Sequence, residues 1–234
     1  MTFETWLQSR LAAYGHDVGP IGGAFGTRSR NALISFQRQN GLKITGVADE
    51  ETVAALRRKP SGGRSPVPTA PAERMPPWMA EMYRRKGLHE GRNNSTLSKW
   101  LRIGRYLGNP AKLPWCGDAV ETAIVKTLPN EPVPDNPFWA QAWSKFGVAA
   151  NAGDIGAIGV IRWSARAGHV GIVAAYDAKR QRVLLLGGNQ SDAITLSWFP
   201  LSKFIAFRWP STFPKKGYPS LDEKGNSGSL AGTR

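Results

Sequence analysis

Six prolines crowd the stretch "KPSGGRSPVPTAPAERMPP", residues 59–77, and no regular element can run through it. Proline has no backbone N–H, and its ring fixes φ, so neither a helix nor a sheet interior continues across such spacing. With glycine and serine between them, Pro60, Pro66, Pro68, Pro71, Pro76 and Pro77 read as a semi-extended tether. The chain must then fold as separate bodies. Residues 1–59 form a small one, 60–76 a linker, and 77–210 a larger one. The polar stretch at 211–234, ending "KKGYPSLDEKGNSGSLAGTR", is expected to be a flexible tail.

The small body reads as three short helices. Phe3, Leu7, Leu11 and Tyr14 recur on one helical face. Thr27 is placed to cap a second helix that turns Leu33 and Phe36 inward and stops at Asn40-Gly41. Asp49 is placed to cap a third, with Glu50 and Glu51 in its first turn and Val53 and Leu56 inward. No residue set here suggests catalysis, so an all-α three-helix binding module is the simplest reading.

The larger body changes texture halfway. "PPWMAEMYRRKG", "STLSKWLRIGRYLG" and "CGDAVETAIVKTL" carry helical patterns, and on the last Ala119, Val120, Ala123, Ile124 and Leu128 share one stripe. From residue 153 the chain breaks into strand-forming runs at 153–163, 169–177, 182–188, 193–199 and 203–209, with polar or glycine-containing turns suited to a meander. Helices first and strands afterwards predict α+β with an antiparallel sheet.

The only cysteine, in "LPWCGDAV", falls at the start of that third helix. Cys116 has no partner for an intramolecular disulfide, so it is either a small buried hydrophobe or a nucleophile. A thiol attacks as thiolate and titrates freely at about 8.5. The positive end of a helix and an imidazolium are the two features that would lower that value. Of three histidines, His16 lies in the small body, His89 in the loop "GLHEG", and His169 opens the strand "GHVGIV", where it can face a helix end. A base needs a third group to hold its tautomer. "LLLGGNQSD" offers Asn189 for that role, with Gln190 and Asp192 in reserve. Each has a structural alternative: an inert cysteine, a surface histidine, an asparagine that only turns the chain. Glu90 in "HEGRNN" is a candidate general acid for glycoside cleavage, without an obvious second carboxylate. A metal site from His89, His169 and Cys116 lacks the helical His-Glu-x-x-His spacing. Asp154 reads as a turn residue.

With 31 basic against 17 acidic residues, the net charge of +14 favours polyanionic partners. Neither a recognition helix nor an aromatic-basic platform supports a specific nucleic-acid reader. There is no run of eighteen apolar residues to span a bilayer. The start "MTFETWLQSRLAAYG" is acidic and amphipathic where an export signal needs a basic start and an apolar centre.

"LQSRLAAYGHDVGPIGGAFGTRSRNALISFQRQNGLKITGVADEETVAAL" resembles the helical peptidoglycan-binding domain of bacterial and phage wall hydrolases. Gly23, Phe25, Gly26 and Ser29, then Phe36, Gln37, Gly41 and Leu42, then Thr45 to Asp49 stand in the order of that family, with Gly22 where it usually has aspartate. "LPWCGDAVETAI", "GDIGAIGVIRWSARAGHVGIV" and "LLLGGNQSDAITLSWFPLSKFIAFRWP" are similar to papain-like cysteine hydrolases of the CHAP and NlpC type, over about residues 76–210. The two resemblances imply an endolysin-like hydrolase that cuts a wall amide, either muramoyl–alanine or within the stem peptide. They imply Cys116 as nucleophile, His169 as base and Asn189 as third member, with Trp115, Gln190 and, in the small body, Phe25 as substrate-binding residues. They imply no cofactor or metal, a monomer whose partners are peptidoglycan and anionic envelope polymers, and no specific nucleic acid. Such a chain is expected to be made in a bacterial cytoplasm and to reach the wall through a holin-type pore. A muramidase using Glu90 and a non-catalytic wall-binding virion protein are the competing readings.

Overall fold

A computed structural model describes residues 1–22, 24–58 and 74–222, in two compact units, Met1–Glu73 and Arg74–Arg234. Most of the proline-rich linker, the end of the polar tail and Gly23 lie outside the described residues.

The first unit holds three helices, α1 (Phe3–Ala13), α2 (Thr27–Gln39) and α3 (Glu50–Arg57). Thr2 and Asp49 cap α1 and α3 by accepting the N–H of Thr5 and Thr52. Thr27 is not a cap: Gly26 holds that position without a side-chain bond, and Thr27 is the first helical residue. Trp6, Leu11, Leu33, Phe36 and Leu56 form the core, with Phe3, Tyr14, Phe25, Leu42 and Val53 packed around it. Gln37 is fully buried and fully used. Its Nε2 donates to the Val47 carbonyl and the Thr52 hydroxyl, and its Oε1 accepts from the N–H groups of Thr45 and Gly46. That one amide closes the turn between α2 and α3, as buried polar groups require.

The second unit is a helical layer on a six-stranded antiparallel sheet. Its helices are α4 (Pro77–Tyr83), α5 (Asn94–Leu101) and α6 (Cys116–Thr127). Its strands are β1 (Val148–Ala149), β2 (Ile158–Arg162), β3 (Gly168–Asp177), β4 (Arg182–Gln190), β5 (Ala193–Pro200) and β6 (Phe204–Trp209), in spatial order β1-β6-β2-β3-β4-β5. Strands β2 to β5 form the expected meander. β6 departs from it and returns to the far edge of β2, because a 3-10 turn at Leu201–Lys203 redirects the chain. The predicted apolar stripe of α6, Ala119, Val120, Ala123 and Ile124, is wholly buried, and α6 packs on β3, β4 and α4.

The expectation of a free tail from residue 211 is corrected over its described part. Phe213, Tyr218 and Leu221 are buried, and the Leu221 N–H donates to the Ala174 carbonyl. Glu131 accepts from both N–H groups and both hydroxyls of Ser211 and Thr212. The sequence is polar on average there, but three well-spaced apolar side chains suffice to dock it.

Candidate active site

The first turn of α6 leaves its amide N–H groups without intrahelical acceptors, and Cys116 sits at that turn. Its sulfur faces the N–H groups of Cys116 and Gly117 and, from the sheet, that of Val170. Val170 follows His169 on β3, so the amide that reaches the sulfur from the sheet belongs to the residue after the histidine. Two glycines permit the approach. A Cβ on Gly117 would collide with the Pro137 carbonyl, and one on Gly188 would lie 2.5 Å from the Trp115 ring and 2.8 Å from Ala119 Cβ. Gly188 of β4 therefore serves close packing of α6 on the sheet, while Gly187 leaves room for the Gln190 amide and the His169 ring.

His169 is buried, and its Nε2 lies 2.9 Å from Gln190 Oε1. The Gln190 Nε2 donates to the Thr195 carbonyl at 2.7 Å, which fixes the amide with its oxygen toward the ring. That oxygen only accepts, so the neutral imidazole carries its proton on Nε2 and leaves Nδ1 bare.

Asn189 is thereby displaced from the predicted third position. Its φ is +56°, a left-handed turn value, and the β4–β5 ladder shifts register between Gly187 and Gln190. This bulge turns residue 190, not 189, onto the histidine's face. Asp192, also at positive φ, is exposed, and its carbonyl accepts the Glu90 N–H.

Burial dominates the electrostatics. It pushes the Cys116 thiol above its ordinary value against the opposing pull of the Val170, Gly117 and Cys116 amides. It also pushes His169 down, partly offset by the Gln190 bond. Both shifts favour a neutral thiol and a neutral imidazole, the reverse of the ion pair that a helix end and an imidazolium would create.

The remaining candidates are dispersed. Trp115 is 1 % exposed, so it is not a surface for substrate; it underlies the nucleophile and donates its Nε1 to Glu90 Oε2 at 2.8 Å. Glu90 thus spends one oxygen on an indole. His89 accepts the Gly91 N–H on Nδ1, and His16 packs on Phe36 in the first unit. Among the described residues no three His, Cys, Asp or Glu side chains converge to hold a metal. Phe25 is half-buried against the first unit's core. Asp154 accepts the Asn151 N–H and so holds the turn before β2.

Residues 5–56 match the family described as "Putative peptidoglycan binding domain". The first unit carries a peptidoglycan-binding domain. Over 50 residues the chain is 42 % identical to CwlM, an N-acetylmuramoyl-L-alanine amidase of Mycobacterium tuberculosis. That stretch is 21 % of this chain and 12 % of the relative's length. No solved structure matches the chain.

The sequence offered Asn189 as third member with Gln190 in reserve, and the structure puts Gln190 against His169; the amide of Val170 beside Cys116 carried no signal in the sequence.

Proposed function

We propose that the protein is a peptidoglycan hydrolase of the endolysin kind, whose second unit cuts a wall amide on a papain-like scaffold of the CHAP or NlpC type. What supports this reading is a helix-terminal thiol that the amide of Val170, the residue after His169, reaches from the sheet, and a His169 Nε2 pinned by a glutamine. The peptidoglycan-binding domain supports peptidoglycan as the polymer, and the likeness to an amidase over 50 residues is in keeping with an amide as the bond.

The Cys116 sulfur attacks the amide carbonyl as its proton passes to the bare His169 Nδ1. The oxyanion that forms is met by N–H groups of the α6 first turn, which are fixed before the reaction begins. The imidazolium then protonates the leaving amine, and the C–N bond breaks to leave a thioester. Water attacks the thioester, gives a proton through His169, and releases the acid and the thiol. Gln190 holds the tautomer throughout.

Replacing Cys116 by alanine is expected to abolish release of soluble fragments from purified walls while wall binding persists. Undiminished lysis by Cys116→Ala refutes the thiol mechanism. Mass spectrometry of the digest assigns the bond, since a muramoyl–alanine cut and a stem-peptide cut leave different new amines. New reducing sugar ends would instead favour Glu90 and glycan cleavage.

A further inference from the structure

Of the nine tryptophans, Trp6, Trp78, Trp100, Trp115, Trp143 and Trp209 are buried, and Trp198 is half-buried with the Arg182 guanidinium over its ring. Two stand apart: Trp139 is 46 % exposed and Trp163 49 %. An indole left in water forgoes one of the largest burial gains a side chain offers. Trp139 sits just before the 3-10 turn Ala140–Lys145, and Trp163 just after β2.

Trp163 follows β2 and lies 6.0 Å, ring to ring, from Phe199 on β5; Phe199 in turn lies 5.5 Å from the His169 ring. A continuous aromatic surface thus runs from His169 out to solvent. Trp139 follows Pro137 and Phe138, whose backbone presses on Gly117 in the first turn of α6. The two loops are locked together by Gln141, which is buried. Its Nε2 donates to the carbonyls of Ser164 and Ala167, and its Oε1 accepts from Arg162 Nε. The backbone after Trp163 and the turn after Trp139 are therefore joined before any ligand arrives, and pre-organisation of this kind lowers the entropy cost of binding.

We propose that Trp139 and Trp163 form a sugar platform that takes the C–H face of a pyranose ring from the glycan strand and lays the attached peptide toward Cys116. The electron-rich face of an indole suits the weakly positive C–H groups on one side of a pyranose. The peptidoglycan-binding domain in the same chain identifies the glycan as that of peptidoglycan. The proposal rests on the reading of Cys116 as the reactive centre, but its test does not use turnover.

The full-length Cys116→Ala protein is labelled with fluorotryptophan, and the two resonances are assigned with Trp139→Phe and Trp163→Phe. It is titrated with a purified disaccharide–peptide from peptidoglycan and, separately, with the same stem peptide lacking sugar. The expected result is that the Trp139 and Trp163 resonances shift with the disaccharide–peptide, that those of the buried indoles do not, and that the sugar-free peptide produces no comparable shift. Replacing both exposed tryptophans by alanine is expected to weaken the disaccharide–peptide interaction at this site about tenfold. Unmoved resonances, or equal shifts with the sugar-free peptide, overturn the platform. If the shifts appear while the wild type releases nothing from walls, the hydrolase reading falls and the platform stands.

Discussion

At the scale of single residues, the Gln190 side chain decides what His169 can do. Its oxygen receives the Nε2 proton because its nitrogen is already committed to Thr195. Gln190→Ala is expected to lower kcat by about 10²-fold through loss of the working tautomer. Asn189→Gly keeps the left-handed turn and is expected to leave kcat near that of the wild type. Steady-state kinetics on soluble muropeptides compare the two. The pH dependence follows from burial. In the proposed mechanism His169 must be unprotonated to accept the thiol proton, and its pKa is depressed from 6.5, so the acid limb of kcat/KM is expected to fall below that value. Cys116 is shifted up from 9.0, so alkylation by iodoacetamide should lack the plateau across mildly acid pH that a thiolate–imidazolium pair gives, and should rise only in alkali.

At the scale of elements, α6 is pressed onto β4 at Gly188. Gly188→Ala must displace the Trp115 ring or the helix and is expected to cost about 1–3 kcal/mol, read as a fall in thermal midpoint. In the first turn of α6, Asp118 is buried, accepts the Leu107 N–H on Oδ2, and has no hydrogen-bond partner for Oδ1 among the described residues. Burial, with the nearby Glu121 carboxylate adding to it, raises Asp118 to about 6 from 3.8. Below the lower value both states are protonated and nothing is lost; as pH rises through about 6 the folded state must ionise a buried acid. By neutral pH the cost approaches about 3 kcal/mol. Asp118→Asn is expected to stabilise the protein at neutral pH and to flatten its stability across that window, measurable by denaturant titration at several pH values. The helix stripe itself was legible, since Ala119, Val120, Ala123 and Ile124 repeat at the period of a helix that buries one face. The return of β6 to β2 was not, because strand order rests on pairing between residues far apart in sequence. The bulge at Asn189 was equally hidden: a local pattern records that asparagine tolerates a left-handed turn, not that the ladder will slip there.

At the scale of the whole molecule, two units carry separate cores, and each has a buried polar residue that closes it. Gln37→Leu strips the α2–α3 turn of its hydrogen bonds and is expected to lower the melting transition of the first unit while leaving that of the second in place, as calorimetry would resolve. Glu131→Ala releases Ser211 and Thr212 and is expected to cost about 3 kcal/mol, confined to the second unit. The proline-rich division was legible from composition, whereas the docking of residues 211–222 was not, since three apolar side chains in a polar stretch do not form a period. The uncharged, enclosed state of Cys116 has a consequence outside the proposed chemistry. Peroxide and disulfide reagents react with thiolates, and this sulfur rests as a thiol behind the packed α6–β4 seam. The protein should therefore keep its sulfur reduced through long exposure to an oxidising medium.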